Sequence, residues 1–181
     1  GTPEKYPINE TQPLNPVSLY GVGKAAADML ANSYVQRDCL DLVRVRSFNH
    51  IGPRQDKRFV AASFARQIAQ IEAGAPPVIK VGNLEARKDF TDVRDTVRAY
   101  HALMERGIAG EAYNVCSGKS MSVKSILDGL TNLASLPIRV EIDPERYRAE
   151  PPVNFYGDHS LLTARTGWLP EIPMETTLRD L

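Results

Sequence analysis

Apolar residues at helical spacing and runs that alternate every second residue succeed one another along nearly the whole chain, and this succession most restricts the fold. Ala26, Ala27, Leu30 and Tyr34 recur at helical spacing between Ser18 and about Arg37, with Ser18 or Asn15 available as the cap. Residues 41–48 alternate in period two and are rich in β-branched side chains, which predicts a strand ended by a loop at Gly52 and Pro53. Phe64, Ile68 and Ile71 mark a second helix over 59–73 that Gly74 closes. Short strands are expected at 78–81 and 88–91 around Gly82-Asn83. A third helix follows on Val93, Val97, Tyr100 and Leu103. The pattern continues with a buried strand at 112–116, a helix on Val123, Ile126, Leu127 and Leu130, a strand at 138–142 and a short helix over 159–166 stopped by Gly167. Such alternation predicts an α/β protein. Residues 1–17, with Pro3, Pro7, Pro13 and Pro16, read as an extended connection.

Bulk properties narrow the function classes. A length of 181 residues and a hydrophobic fraction of 43% suit one domain or one and a half with a real core. Lys plus Arg and Asp plus Glu each total 22, so the net charge is zero, and neither a nucleic-acid nor a membrane-surface partner is expected. Any anion must therefore be held by local cations. Cys39 and Cys116 cannot build a disulfide framework, and Cys116 lies in an apolar run where a buried thiol is expected, consistent with a cytoplasmic location. No stretch reaches the length of a membrane span, and the first residues lack the apolar core of a signal peptide. His101 and His159 are too isolated for a metal site, and none is expected. Trp168, in Gly-Trp-Leu-Pro, is expected as a packing anchor rather than a platform for a base.

Chemistry concentrates at Tyr20-Gly21-Val22-Gly23-Lys24. Four residues apart at the start of a helix, the phenol and the ammonium project from one face. An ammonium beside a phenol favours its ionised form, which makes the pair a candidate proton donor and acceptor near neutrality. Chance occurrence of the same spacing is the competing reading. A phosphate-binding loop at Gly23-Lys24 is excluded, because no glycine stands upstream at the required distance and Ala25 replaces the magnesium-holding Ser or Thr.

The run Ser18-Leu19-Tyr20-Gly21-Val22-Gly23-Lys24-Ala25-Ala26-Ala27 resembles the Tyr-x-x-x-Lys helix of extended short-chain dehydrogenases/reductases. The likeness continues through Arg46-Ser47-Phe48-Asn49-His50-Ile51-Gly52-Pro53, residues 81–95 and Gly167-Trp168-Leu169-Pro170, in the family's order and spacing. Within it, the Asn-His-Ile-Gly-Pro loop, the Phe64-Ala65-Arg66-Gln67-Ile68 helix and the Gly-Asn-Leu-Glu-Ala strand are most similar to GDP-6-deoxy-4-keto-mannose reductases, with GDP-mannose 4,6-dehydratases close behind. The resemblance implies the C-terminal part of an extended Rossmann-type fold. Residues 1–76 would carry the Tyr-x-x-x-Lys helix, 77–181 would mainly bind a GDP-linked sugar, and about 88–117 would return to the Rossmann sheet. It further implies that the glycine-rich turn binding NADP or NAD, and a Ser or Thr completing the catalytic set, precede Gly1. A homodimer or higher oligomer is expected of the intact protein.

By the same resemblance Tyr20 exchanges a proton with the sugar C4 oxygen, Lys24 grips the nicotinamide ribose, and His50 lies near the nicotinamide. Asn49 would bond the substrate, its competing reading being a structural turn, and Arg58 would stand on the rim. Arg87, Lys88 and Arg148 are candidates for the diphosphate, each with solvated charge as the alternative. Lysine stands at 88 where relatives carry arginine, giving a point charge instead of a two-point fork. After Arg148, Ala149 and Pro151 replace the usual proline and acidic residue, so a ribose contact could pass to Glu150. Three activities remain open: reduction of a GDP-linked 4-keto-6-deoxy sugar, dehydration of GDP-mannose, and non-catalytic binding of a nucleotide sugar.

Overall fold

The computed structural model describes residue 3, residues 5–37, residues 40–148 and residues 154–181. Cys39, Ala149, Glu150 and Pro151 lie outside the described residues, and the expectations placed on them are not addressed below.

Helix α1 (Leu19–Gln36) starts at Ser18, whose hydroxyl accepts from the Gly21 amide at 3.1 Å, so Ser18 and not Asn15 is the cap. Strand β1 (Arg44–Ser47) begins later than the alternation suggests. The chain stays extended past Phe48 into β2 (Asn49–Ile51) before Gly52 ends it. The two segments have different neighbours. β1 pairs in parallel with β5 (Ala112–Val115), whereas β2 pairs in parallel with β4 (Arg87–Asp92). Gly52 passes so close to Val93 that a Cβ there would fall 2.3 Å from a valine methyl, which explains why only glycine serves at the exit.

Helix α2 (Val60–Glu72) buries Ala61, Ala62, Phe64, Ile68 and Ile71, the face read from the sequence, and the chain turns at Gly74 with φ of 103°. β3 (Val78–Val81) pairs in parallel with β7 (Arg139–Ile142). Helices α3 (Val93–Arg106), α4 (Val123–Thr131) and α5 (Ser160–Thr166) fall where expected, α5 ending at Gly167 in the left-handed conformation that favours glycine. Two elements have no counterpart in the sequence reading. β6 (Ser120–Ser122) adds antiparallel to β4, and α6 (Met174–Arg179) packs Leu178 into the core. With three parallel pairings and helices between the strands, the architecture is mixed α/β.

Two apolar clusters hold these elements. The larger gathers Phe64, Ile68, Ile79, Phe90, Ile126 and Leu127 with their neighbours between α2, α4 and the β3 and β4 strands. The smaller joins Ala99, Leu103, Tyr113, Val115, Leu162 and Trp168. Trp168 is the anchor expected of it, buried and donating from Nε1 to the Asp95 carbonyl at 3.0 Å. Cys116 is fully buried, and burial foremost, with the Asp89 carboxylate next, pushes its thiol far up from the ordinary value.

Three buried carboxylates three residues apart, Asp89, Asp92 and Asp95, tie the strand-to-helix junction to distant loops. Asp89 accepts from the amides of Ser117, Gly118 and Gly157 and from the Ser117 hydroxyl. Asp92 caps α3, binds Arg94 at 2.7 Å and accepts from Thr177 of α6. Burial alone would raise the Asp92 carboxyl, but the hydrogen bonds from Arg94 and Thr177 outweigh it and hold it below the usual carboxylate range. Asp95 accepts from Arg98 and from the amides of Glu171 and Ile172.

Candidate functional site

A cleft of about 1820 Å³ opens beyond the carboxyl ends of β1, β2 and β3, the edge where open α/β sheets place ligands. Its lining brings together six of the residues singled out from the sequence: Tyr20, Asn49, His50, Arg58, Lys88 and Arg148. They come from four separate stretches of chain. α1 presents Tyr20 from its first turn. The β2 segment carries Asn49 and His50, and the loop after it carries Arg58. Lys88 comes from β4, and Arg148 from the segment that follows β7.

Tyr20 is 77% exposed, and Lys24 holds its ammonium 5.8 Å from the centre of the Tyr20 ring. The ammonium thus lies over the ring, a favourable cation and aromatic contact. Lys24 is not part of the cleft lining, and neither is Arg87. The Arg87 guanidinium turns to β6, donating to the Ser120 carbonyl at 2.9 Å and the Ser120 hydroxyl at 3.3 Å. Residues 87 and 88 alternate across a strand, so only one of the two can face the cleft. Of the two diphosphate candidates on β4, the geometry puts Lys88 and not Arg87 there.

Asn49 donates from Nδ2 to the Asp89 carbonyl at 3.3 Å, and Gln55 donates to the His50 carbonyl at 2.8 Å, so both cleft residues are braced from behind. Arg58 is tied back to Asp56 at 2.9 Å on an exposed loop. Asn83 donates to the Arg148 carbonyl at 3.1 Å, fixing the segment after β7 against the turn that follows β3.

Sequence reasoning missed a set of cations that reach the cleft only through tertiary packing. Arg46 comes from β1, Arg54 and Lys57 from the loop after β2, Arg66 from α2, Lys80 from β3 and Arg146 from beyond β7. With Arg58, Lys88 and Arg148, nine Lys or Arg side chains line the cleft against one carboxylate, Glu145. Among the described residues Arg54, Lys57, Arg66 and Lys80 form no ion pair. Arg46 and Arg66 lie within runs that carry the family resemblance but gain no role from it, and Arg54, Lys57, Lys80 and Arg146 fall in no motif, so spacing alone makes each a solvated surface charge.

Parallel strands with helices between them and a cleft at their carboxyl edge, bordered by the tyrosine of a Tyr-x-x-x-Lys helix, are the arrangement of the short-chain dehydrogenase/reductase type. The family model for GDP-mannose 4,6 dehydratase matches residues 1–181, and the chain belongs to that family. It is 37% identical to the GDP-6-deoxy-D-mannose reductase of Pseudomonas aeruginosa over 97% of its own length and 58% of that protein's. To GDP-mannose 4,6 dehydratase 1 of Arabidopsis thaliana it is 29% identical, covering 96% of the chain and 48% of the relative. Among solved structures, RMD from Pseudomonas aeruginosa complexed with NADPH superposes with a TM-score of 0.91 at 35% identity, over 97% of this chain and 58% of that one. A putative epimerase from Burkholderia cenocepacia gives 0.84 at 34% identity, over 95% of this chain and 55% of that one. The chain spans about half the length of the relatives it matches.

Proposed function

We propose that the complete protein containing this chain reduces the C4 ketone of GDP-4-keto-6-deoxy-D-mannose, with NADPH as the hydride source. One observation carries the reading. In a chain of zero net charge, an exposed tyrosine with a lysine beside it borders a cleft lined by nine cations and one carboxylate, three of the cations being paired with Asp28, Asp56 and Asp143. A nucleotide sugar has the matching chemistry, with a diphosphate to be neutralised and a sugar carbon to receive a proton at its oxygen. The relatives support the choice of sugar, the reductase being the more similar of the two named above.

Within this reading the cations at the mouth of the cleft, Lys88 and Arg148 among them, hold the diphosphate, and Asn49 orients the sugar by its amide. The residues also fit a nicotinamide nucleotide, because the Tyr20 hydroxyl and the Lys24 ammonium are both open to a ribose, and His50 lines the same cleft. When bound, that group supplies the hydride at C4. Tyr20 gives its hydroxyl proton to the C4 oxygen as the carbonyl bond opens, leaving an alcohol on the sugar and a phenolate on the protein. The Lys24 ammonium steadies that phenolate, and proton return from solvent restores Tyr20.

Dehydration of GDP-mannose is the second reading, favoured by the family model and the plant relative. The same pair would act in both. Replacing Tyr20 by Phe in the complete protein is expected to lower kcat about 10²–10⁴-fold with substrate affinity nearly unchanged. Turnover at the wild-type rate in that variant would overturn both enzymatic readings, and product analysis of the wild type separates reduction from dehydration.

A further inference from the structure

Helix α1 carries the proposed catalytic pair, yet none of its residues is buried. Its side-chain hydrogen bonds to the rest of the described chain all end on one residue, Asp28. Tyr20, Lys24 and Asp28 follow at intervals of four, so they occupy successive turns of one helical face. The Asp28 side chain is 13% exposed and takes Arg44 at 3.0 Å and Arg46 at 2.9 Å, both from β1. Each guanidinium is itself fixed at its other end. Arg44 donates to the Gly110 carbonyl at 2.8 Å, and Arg46 donates to the Glu10 carbonyl at 2.8 Å. One carboxylate is thus gripped by two forks that are each pinned to a separate backbone segment.

We propose that Asp28 is a positioning residue, setting the height and rotation of α1 so that Tyr20 and Lys24 meet the substrate at Asn49. This rests on the enzymatic reading above. β1 runs directly into Asn49 and His50 through Phe48, so a clamp between α1 and β1 references the two halves of the site to one strand. The argument turns on lever length. Asp28 lies about 12 Å along the helix from Tyr20, at 1.5 Å per residue, and its ion pairs sit on the same half-buried face as Ala25, Ala31 and Val35, so they help set the rotation of the helix against β1. Arg46 also reaches the cleft lining, so the clamp borders the site it would align.

The test uses the complete protein with Asp28→Asn, Asp28→Glu and Tyr20→Phe measured in parallel. Because a misplacement of about 1 Å at a reacting group costs on the order of 10²-fold, Asp28→Asn is expected to lower kcat by about 10–100-fold while KM for the nucleotide sugar stays within about twofold. Asp28→Glu keeps both ion pairs and should recover activity to within about tenfold of wild type. A wild-type kcat in Asp28→Asn, a loss appearing in KM instead, or an Asp28→Glu variant as poor as Asp28→Asn would each overturn the proposal. If Asp28→Asn does not fold, Arg46→Lys, which trades a two-point fork for a point charge, carries the same comparison. Lower kcat at unchanged KM supports the role and wild-type kcat overturns it. A Tyr20→Phe variant with full turnover would sink the enzymatic reading itself. An inactive Tyr20→Phe beside a fully active Asp28→Asn would sink this inference alone.

Discussion

Helices α1 and α2 have similar apolar spacing in the sequence but opposite fates in the fold. α2, 13 residues long, buries five side chains between α4 and the β3 strand, while α1, 18 residues long, buries none and leaves Leu30 58% exposed. An isolated helix of that length is marginal in water, so α1 depends on its Ser18 cap and on the Asp28 clamp rather than on apolar burial. The contrast separates two ways of holding a helix. One fixes it by filling space, and the other fixes it at a polar point on a half-buried face and leaves its large apolar side chains exposed.

The sharpest way to break this contrast is in α2. Phe64→Ala should cost about 3–5 kcal/mol, read as a fall in the denaturant midpoint, because the ring lies within the larger apolar cluster. A cost below about 1 kcal/mol would mean that α2 is no better packed than α1. Next in size is Asp92→Asn, expected to cost about 1–3 kcal/mol at neutral pH by weakening bonds to Arg94 and Thr177. Since the folded carboxyl is held below its ordinary value of 3.8, this contribution is complete above that value and is lost as the pH falls through the lower, folded one. Melting curves of wild type and variant should therefore converge in acid, and a gap that persists there would contradict the assignment. The smallest effect belongs to α1. Leu30→Ala should change the stability of this chain by less than about 0.5 kcal/mol, and a loss of several times that would show α1 to be packed after all.

Local signals carried much of the fold. The α2 and α4 faces, the strand at 78–81 and the stop at Gly167 were legible because periodicity and a left-handed glycine act over a few residues. The β6 strand was not, since Ser120-Met121-Ser122 has no strand preference of its own and is extended because Arg87, Lys88 and Asp89 offer it an edge. Amphipathic spacing also misled at α1, where it correctly indicated a helix but not that the apolar stripe would stay open. For the cleft, the Tyr20 helix and the Asn49-His50 loop were legible as motifs. Arg54, Lys57, Arg66, Lys80 and Arg146 were not, because a cation's role depends on which distant segments it faces. The same holds for Asp89, Asp92 and Asp95, whose partners lie up to 85 residues away. Their spacing of three on a strand-to-helix junction, inside the run 81–95 that carries the resemblance, was the hint available.

Three of the nine cleft cations are paired with carboxylates beside the opening, Arg46 with Asp28, Arg58 with Asp56 and Arg146 with Asp143, so the charge that faces a ligand is carried by the others. Arg54, Lys57, Arg66 and Lys80, which form no ion pair among the described residues, give the opening a local positive field. An approaching polyanion would be turned toward the opening before contact, and the rate of that encounter should fall steeply as ionic strength rises.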